Sequence, residues 1–257
     1  MNIKVKNLSG GISIITINEP KTYNSLSFKN LNDLIKVFKK LDKDKKTKVI
    51  ILEGSGKGFS AGHNLKEVKN LKVRNKYQKL FNLCSKLMLQ IVEGKKPVIA
   101  KVHGAAYAAG CQLVASCDLA YSTNDALFAT PGVNIGLFCS TPMVALSRNV
   151  SKKDSMKMLL TGDMIDAAEA KRISLINDHV SADKLSDSVI SISKKIASKP
   201  LSTIKIGKDA FYRQYEMSLT DAYKFTSKVM TDNSLSDDAK EGITSFLEKR
   251  DPIWKED

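Results

Sequence analysis

Hydrophobic and polar residues alternate at the start of the chain and then recur at helical spacing. Residues 3–8 and 12–17 alternate on either side of Ser9-Gly10-Gly11, a pattern that predicts a β-hairpin. A helical stripe of apolar residues comes next, and Ser27 precedes it at a position that favours an N-cap. The stripe consists of Leu31, Leu34, Ile35, Phe38 and Leu41. The N-terminal segment therefore predicts two paired strands followed by an amphipathic helix.

Buried strands and helices alternate over the next part of the chain. Continuous apolar runs predict three strands, at 49–53, 98–102 and 119–122. Such runs are typical of strands that are covered on both faces, since these need no polar alternation. Helical spacing predicts a helix over 77–92 and a short helix from about residue 108. This alternation indicates an α/β fold up to about residue 140.

The last part of the chain is mostly helical by the same criterion. The predicted helices are 142–149, 182–197, 201–215, 219–230 and 237–249. No Gly/Ser-rich spacer separates them from the rest, so we place a subdomain boundary near Pro200 rather than a flexible linker. Residues 1–199 form the predicted core, and residues 200–257 form a predicted helical C-terminal region.

The composition is that of a globular protein with a sizeable core, since 42% of the 257 residues are hydrophobic. No apolar run reaches the roughly 18 residues that span a bilayer, so we expect no membrane partner. The N-terminus shows neither the apolar stretch of a signal peptide nor the Arg/Ser-rich helix of a transit peptide. The four cysteines are Cys84, Cys111, Cys117 and Cys139. Their spacing is not that of a metal site, so the sequence predicts reduced thiols, no bound metal and a cytoplasmic protein.

The formal charge of +14 raises the question of nucleic-acid binding. Five of the 41 basic residues are arginines, namely Arg74, Arg148, Arg172, Arg213 and Arg250. Base and phosphate recognition draws heavily on arginine, whereas these lysines are spread along the whole chain, so we do not expect nucleic acid as a partner. A genome that favours lysine codons or a need to attract a polyanionic ligand would each produce this balance.

Two segments rich in small residues follow predicted buried strands. They are Phe59-Ser60-Ala61-Gly62-His63-Asn64-Leu65 and His103-Gly104-Ala105-Ala106-Tyr107-Ala108-Ala109-Gly110-Cys111-Gln112-Leu113. Small residues let the backbone approach a ligand closely, and the start of a helix leaves N–H groups free to donate. Two such donors aimed at one point form an oxyanion hole, which stabilises a carbonyl oxygen as it becomes negative.

These two segments resemble the paired motifs of the crotonase superfamily, the enoyl-CoA hydratases and isomerases. Four further segments match that family in order along the chain, at 20–26, 117–120, 128–136 and 241–250. The resemblance covers the full length and implies the α/β crotonase fold, a spiral of strand-strand-helix turns with a helical C-terminal tail. It also implies that the backbone N–H groups of His63 and Ala109 hold a thioester carbonyl.

The chain departs from this family at the positions that carry acid–base chemistry. Family hydratases use two glutamates, because paired carboxylates can be held in opposite protonation states. Gln112 stands at the first of these positions and Gly132 at the second, and Ser140 stands where isomerising relatives often place a carboxylate. Asn64 also replaces an aspartate of the first motif. An amide can orient water but cannot take its proton, so these residues do not support the standard hydratase mechanism.

The remaining polar side chains each have two interpretations. The imidazole of His63 is either a base with a pKa near neutrality or a packing group turned away from the thioester. Cys139 is either a nucleophile or a packed thiol, and the lack of an evident paired base favours packing. Gln112 either orients a reacting group or fills the core, and the need of a buried amide for partners favours orientation. We interpret His103 and His179 as structural.

The resemblance further implies a coenzyme A site that a neighbouring subunit completes. Lys21, Ser25 and the backbone of residues 61–66 would hold the adenine and pantetheine portions, and Phe246 and Lys249 would come from the C-terminal helix of another subunit. The backbone segment consists of Ala61, Gly62, His63, Asn64, Leu65 and Lys66. An aromatic face and an ammonium group suit adenine and phosphate. The alternatives are core packing for Phe246 and a solvated charge for Lys21.

Three functions are compatible with these residues. The first is an enzyme of the hydratase/isomerase type that acts on a coenzyme A thioester as substrate, with no permanently bound cofactor. The second is an acyl-CoA-binding protein that keeps the oxyanion hole without the chemistry. The third is an RNA-binding relative, which the low arginine share disfavours.

Because the helices from Leu201 onward have apolar faces that need cover, and relatives form trimers, we expect a homotrimer or hexamer.

Overall fold

Within residues 2–255, which the computed structural model describes, ten strands form two sheets. The strands are β1 (Ile3–Leu8), β2 (Ile12–Ile17), β3 (Val49–Gly54), β4 (Gly58–Ser60), β5 (Val98–Val102), β6 (Ala105–Tyr107), β7 (Leu119–Thr123), β8 (Leu127–Ala129), β9 (Ile165–Asp166) and β10 (Asp178–Val180). The larger sheet has the order β1-β2-β3-β5-β7-β10, and the smaller one has the order β4-β6-β8-β9. Successive strands from β3 to β8 therefore alternate between the two sheets.

Helices connect the strands and make up most of the C-terminal part. They are α1 (Phe28–Lys43), α2 (Leu65–Lys69), α3 (Arg74–Val92), α4 (Ala109–Ser116), α5 (Pro142–Leu146), α6 (Lys152–Thr161), α7 (Ala167–Arg172), α8 (Ala182–Ala197), α9 (Leu201–Tyr215), α10 (Leu219–Ser234) and α11 (Asp237–Leu247). Short 3-10 helices lie at Pro20–Thr22 and Pro131–Ile135. Among residues 2–255, no helix combines the length and the apolar composition that crossing a membrane would require.

Each turn of the chain adds one strand to each sheet. The strand β3 is followed by β4, β5 by β6 and β7 by β8, and neighbouring strands of this set run parallel within each sheet. The helices α3 and α4 return the chain to the larger sheet after the first two pairs. This arrangement confirms the predicted α/β spiral of strand-strand-helix turns. Because β4 and β6 are parallel neighbours, the segments that follow them begin at the same edge of the smaller sheet.

The strand β3 shows why some strands are apolar throughout. Its residues Val49 and Ile51 face one hydrophobic cluster, which includes Leu185 of α8. The alternate residues Ile50 and Leu52 belong to the main core on the other side. Since side chains along a strand point to opposite faces in turn, burial of both faces requires every position to be apolar. The continuous apolar run therefore gave the right prediction for this strand.

Most of the predicted elements are present, with shifts at their ends. The hairpin has the expected register, with Leu8 opposite Ile12, and Ser27 caps α1 by accepting a hydrogen bond of 3.2 Å from the Asn30 amide. The predicted helix 142–149 is wrong in length, because α5 ends at Leu146 and a turn leads to a new helix capped by Ser151. The sequence analysis missed the helices α2, α6 and α7 and the strands β4, β6, β8, β9 and β10. All of these except the ten-residue α6 have six residues or fewer, which is too short for a periodic pattern.

A buried charged network fixes α9 to the rest of the fold. The Lys208 ammonium donates to the carbonyl oxygens of Ile91 (2.9 Å) and Lys96 (3.0 Å) and to the Asp118 carboxylate (2.7 Å). The hydroxyl of Tyr212 donates to the second oxygen of Asp118 at 2.9 Å. Burial raises the pKa of Tyr212, so this phenol stays protonated and can donate. Three acceptors satisfy the three donors of the ammonium, so the cost of burying its charge is offset.

Candidate active site

The loop 20–26 holds the first small-residue segment in place. The Ala61 amide donates to the Tyr23 carbonyl at 2.9 Å, and the Leu26 amide donates to the Gly62 carbonyl at 2.8 Å. The side-chain amide of Asn24 donates to the Gly58 carbonyl at 2.8 Å. These bonds come from both ends of the loop. They fix the backbone from Gly58, at the start of β4, to Gly62, where the chain turns. The loop 20–26 therefore stabilises the backbone of the candidate site.

Asn24 is the residue of loop 20–26 that the sequence analysis did not single out. It is fully buried, has a left-handed backbone with φ of 54°, and donates also to the Ser55 carbonyl at 2.8 Å. Asparagine tolerates this backbone region better than most residues, because its short side chain can bond locally. An asparagine inside a loop that matched a family motif was the signal that could have identified it.

The second segment enters α4 through a strained residue. Ala108 has φ of 50° and ψ of −116°, which is an unusual backbone conformation for a residue with a side chain. Its amide donates to the Ala129 carbonyl at 2.9 Å, and its carbonyl accepts from the Gln112 amide at 3.0 Å. Strain of this kind costs about 1–3 kcal/mol and persists only where surrounding contacts enforce it. The turn at Ala108 leads the chain out of β6, so the first backbone N–H of α4 does not belong to that strand.

Two glycines bring the segments into direct contact. A Cβ atom at position 110 would lie 2.1 Å from the Ser60 carbonyl oxygen, so the start of α4 presses on the end of β4. A Cβ at position 62, where φ is +86°, would lie 3.0 Å from the Ala109 nitrogen. Glycine is therefore required at both positions, by close approach at 110 and by close approach and backbone conformation at 62. The amides of His63 and Ala109 are consequently neighbours in space.

Both of these backbone amides lack an acceptor within residues 2–255. The His63 amide follows the turn at Gly62 and lies outside any helix or strand, and no hydrogen bond leaves it toward the described residues. The Ala109 amide lies in the first turn of α4, where backbone N–H groups have no partner within the helix. No side chain caps this helix end. Two adjacent unpaired donors are the geometry that an oxyanion hole requires.

The imidazole of His63 turns inward rather than toward solvent. Its Nδ1 lies 3.2 Å from the Leu26 carbonyl oxygen, and its ring meets Phe81 edge to face with centroids 5.6 Å apart. The Nε2 atom is enclosed and has no partner among the described residues. Burial lowers the pKa of His63, and the hydrogen bond to Leu26 opposes this shift only in part. The ring is therefore neutral near pH 7, with Nδ1–H donating to the carbonyl.

This buried neutral histidine makes the stability of the protein depend on pH. Because the folded-state pKa lies below the unfolded value of about 6.5, the unfolded chain binds the proton more readily, and the stabilisation is lost as the pH falls below that value. We expect the free energy of unfolding, measured with denaturant, to be lower at pH 5.5 than at pH 7.5. The variant His63→Asn keeps a donor for Leu26 and should reduce this difference. An unchanged pH dependence in His63→Asn would contradict the assignment.

The three positions that lack a carboxylate lie in different surroundings. Gln112 is 4% exposed, and its carbonyl oxygen faces the Cys84 sulfur at 3.8 Å. Gly132 has no room for any side chain, since a Cβ there would lie 2.2 Å from the Leu137 carbonyl oxygen and 2.8 Å from the Cys139 sulfur. Ser140 is exposed, and its hydroxyl donates to the Phe138 carbonyl at 3.4 Å. The local backbone therefore excludes a side chain at 132 altogether.

The thiols of the fold are buried and protonated. Burial raises the pKa of Cys84 and of Cys111 to about 12 in each case, and it raises the pKa of Cys117 further. Burial also raises the pKa of Cys139, although a hydrogen bond from the Gly132 amide opposes the shift. A protonated thiol is a weak nucleophile. These surroundings favour the packing interpretation of Cys139.

The polar residues of the first motif have structural partners. The Asn64 side chain caps α2 by accepting from the Lys66 amide at 3.1 Å and the Glu67 amide at 3.2 Å. Asparagine and aspartate are equally good caps, so the cap itself does not require a charged side chain. The side chain of Ser25 is buried and donates to the Thr22 hydroxyl at 3.0 Å. Leu65 and Lys21 are exposed at the surface beside this segment.

The two C-terminal residues predicted for the coenzyme A site, Phe246 and Lys249, are exposed at the end of α11. Phe246 is 82% exposed, so its ring does not pack into the core of its own chain. Lys249 is exposed just beyond the end of α11 and has a left-handed backbone with φ of 54°. The helix α11 packs on α10, and the Trp254 indole beyond it donates to the Ser198 carbonyl at 2.9 Å. Within residues 2–255, neither side chain forms a hydrogen bond, an ion pair or an aromatic contact.

The family of the chain follows from a comparison with known proteins. The family model described as enoyl-CoA hydratase/isomerase matches residues 7–257. The chain belongs to the enoyl-CoA hydratase/isomerase family. Among residues 2–255 there is no cluster of three or more histidine, cysteine or acidic side chains that could hold a metal ion.

Similar proteins of this family cover nearly the whole chain. Enoyl-CoA hydratase domain-containing protein 3 of Xenopus laevis is 45% identical over 95% of this chain and 83% of that protein. Its human counterpart is 44% identical over 95% of this chain and 80% of that protein, and the human crystal structure superposes with a TM-score of 0.96, 43% identity and coverage of 99% and 100%. The crystal structure of an enoyl-CoA hydratase from Mycobacterium smegmatis superposes with a TM-score of 0.97, 44% identity and 99% coverage of both chains. These likenesses confirm the crotonase fold.

The comparison also corrects the predicted location. The relatives from Xenopus laevis and human are both named mitochondrial, which contradicts the prediction of a cytoplasmic protein. That prediction rested on the N-terminal pattern and on unpaired cysteines, which the structure places as free thiols. Unpaired thiols exclude only an oxidising compartment and do not distinguish one reducing compartment from another.

Proposed function

We propose that this protein is an enzyme that binds acyl-CoA thioesters and stabilises the enolate of the thioester in an oxyanion hole. The observation that supports it is the contact between the two small-residue segments, which sets the unpaired amides of His63 and Ala109 side by side. A thioester carbonyl accepts both N–H groups and becomes more negative as a proton leaves its α-carbon. Preformed donors favour that charge more than they favour the neutral carbonyl, which lowers the barrier.

The proton transfers cannot follow the two-glutamate scheme in this chain. Gln112 offers an amide, which holds a water molecule or a polar group of the acyl chain but does not take a proton. The neutral His63 ring keeps its Nε2 enclosed, so the imidazole supports the oxyanion segment rather than reaching the substrate. The backbone N–H groups of the proposed enzyme therefore activate the thioester. Its acid–base group is not a carboxylate at position 112, 132 or 140.

A comparison of two ligands tests the oxyanion assignment. We expect butyryl-CoA to bind at least about tenfold more tightly than free coenzyme A, because only the thioester offers a carbonyl to the two amides, and one hydrogen bond of this type contributes roughly 1–1.5 kcal/mol. Isothermal titration calorimetry with both ligands measures the difference. Equal affinities would remove the oxyanion hole from the proposal while leaving coenzyme A binding in place.

The second candidate is a non-catalytic acyl-CoA-binding protein, which the missing carboxylates favour. Turnover of a panel of acyl-CoA thioesters, followed by mass spectrometry, separates the two. A product from any thioester supports the enzyme, and intact thioesters throughout, despite tight binding, support the binding protein. A filter-binding assay with RNA tests the third possibility.

We also propose that the protein forms a trimer or hexamer in which Phe246 and Lys249 complete the coenzyme A site of a neighbouring subunit. Support comes from the exposure of large apolar side chains on the C-terminal helices, among them Phe211, Leu219, Tyr223 and Phe246. Apolar surface of this extent marks an interaction face. Lys21, Ser25 and the backbone of residues 61–66 would then form the wall of the site on the other subunit.

The variant Phe246→Ala tests this assembly. We expect it to weaken coenzyme A binding by about tenfold, since the ring would stack on adenine and aromatic stacking of a base contributes roughly 1–3 kcal/mol. The control is Ile253→Ala, because Ile253 is 80% exposed near the same end of the chain but lies beyond α11. Calorimetry gives the affinities, and light scattering gives the oligomeric state. A monomer with full acyl-CoA affinity would contradict the proposal.

A further inference from the structure

A cavity of about 620 Å³ lies at the opposite edge of the fold from the oxyanion donors. Its walls come from the end of α1, the turn before β3, the segment before β5 and the first turns of α9. The strands β3 and β5 begin beside this cavity, whereas the small-residue segments follow their other ends. At about 3.3 Å per residue, the length of a strand separates the two places by roughly 15 Å. The cavity is therefore distinct from the candidate active site.

The lining of this cavity is strongly basic. Five lysines from four different elements surround it, namely Lys43, Lys45, Lys95, Lys96 and Lys205. Asp42 is the acidic residue of the lining, and its carboxylate accepts a hydrogen bond of 2.5 Å from the Lys95 backbone amide. Lys43, Lys45, Lys95 and Lys205 form no ion pair within residues 2–255. These four ammonium groups are therefore not directly paired with a carboxylate of the described residues.

Buried contacts hold the walls of the cavity in position. The carbonyl oxygen of Lys96 accepts from the Lys208 ammonium at 3.0 Å, which ties the segment before β5 to α9. The Ser202 hydroxyl, in the first turn of α9, donates to the Asp238 carboxylate of α11. The backbone segments that carry the lysines are thus fixed relative to one another. A bound anion would be attracted by several positive charges and would gain from this preformed arrangement.

We infer that this cavity binds a ligand that carries two or more phosphate groups. An ammonium group is a compact charge with three donors, which suits phosphate oxygens, and lysines on several sides match a ligand with several anionic groups. The volume lies within the range of roughly 300–1,000 Å³ that small-molecule pockets occupy. Leu201 and Ile206 add an apolar side to the lining, against which an organic group can pack. Such a ligand would join the core to the C-terminal helices.

Calorimetry with ATP and with tripolyphosphate tests this inference and separates an organic from an inorganic phosphate. The test variant is Lys43→Ala combined with Lys205→Ala, and the control is Lys152→Ala combined with Lys153→Ala on α6, which removes the same charge from an exposed helix. We expect the test variant to bind at least about tenfold more weakly, because a charge-assisted hydrogen bond contributes roughly 1.5–3 kcal/mol. The control should stay within about twofold of the wild type. The probe that binds more tightly to the wild type identifies the source of the phosphate.

The experiment also defines the results that would overturn the inference. No binding of either probe at near-physiological salt would do so, and so would equal weakening in both double variants, since that result reflects the overall charge of +14 alone. Weaker probe binding by Phe246→Ala, with no weakening by the test variant, would place the phosphates in the proposed acyl-CoA site instead. Retention of the probe in the presence of butyryl-CoA supports a separate site.

Discussion

Purified protein should hydrate crotonyl-CoA at least about 10⁴-fold more slowly than a family hydratase that carries both catalytic glutamates. A positioned acid or base contributes roughly 10²–10⁴-fold to a rate, and this chain lacks a carboxylate at both positions. The measurement is the loss of absorbance of the enoyl thioester at equal enzyme concentrations. Turnover at the rate of a two-glutamate hydratase would show that another pair of groups performs the proton transfers.

Restoring the glutamates should not restore the activity in this fold. In Gln112→Glu the new carboxyl would replace a side chain that is 4% exposed, and burial would raise its pKa and keep it protonated near pH 7. In Gly132→Glu the Cβ would meet the Leu137 carbonyl oxygen at 2.2 Å, so the loop after β8 would have to open. We expect the first variant to stay within about tenfold of the wild-type rate and the second to lose stability. Brisk hydration by Gln112→Glu alone would contradict this account.

Gly110→Ala should lower the free energy of unfolding by about 3 kcal/mol, because its methyl group would overlap a backbone atom in a packed region. The added Cβ would lie 2.1 Å from the Ser60 carbonyl oxygen. The Ser60 hydroxyl is bonded to the Asn24 carbonyl at 3.0 Å, so β4 cannot easily move away. Separation of the two segments should also remove the preference for butyryl-CoA over coenzyme A. Denaturant unfolding and calorimetry measure the two effects.

The chain provides a matched control for this substitution. Gly207 lies within α9, and a Cβ there would meet nothing within 4 Å. Gly207→Ala should therefore increase the free energy of unfolding by about 0.5–1 kcal/mol, since alanine restricts the unfolded chain and favours a helix. Both variants must be compared at one protein concentration, because assembly contributes to apparent stability. A Gly110→Ala protein as stable as the wild type would mean that α4 does not press on β4.

The sequence predicted the long elements because each has a surface that it must bury. The apolar run of β3 and the stripe along α1 reflect which faces meet the core, whereas β1 is an edge strand in which the alternating Val5 is 44% exposed. The strands β4, β6 and β8 have three residues each, which is too few to display a period. They are nevertheless the strands that position the two small-residue segments. Local pattern therefore predicted the body of the fold but not the second sheet.

The sequence alone determined the types of residue at the candidate site and the absence of carboxylates at 112, 132 and 140. The tertiary structure decided how these positions behave, because contacts between segments far apart in the chain set burial and free space. It turned the His63 ring inward onto Leu26, paired the Asn64 side chain with the start of α2, and closed the space at Gly132 with the Leu137 carbonyl. It also gathered lysines from α1, the segment before β5 and α9 around one cavity, although they look evenly spread in the sequence. The sequence states which residue stands at each position. The distances between side chains, their exposure to solvent and their pKa values follow only from which residues the fold brings together.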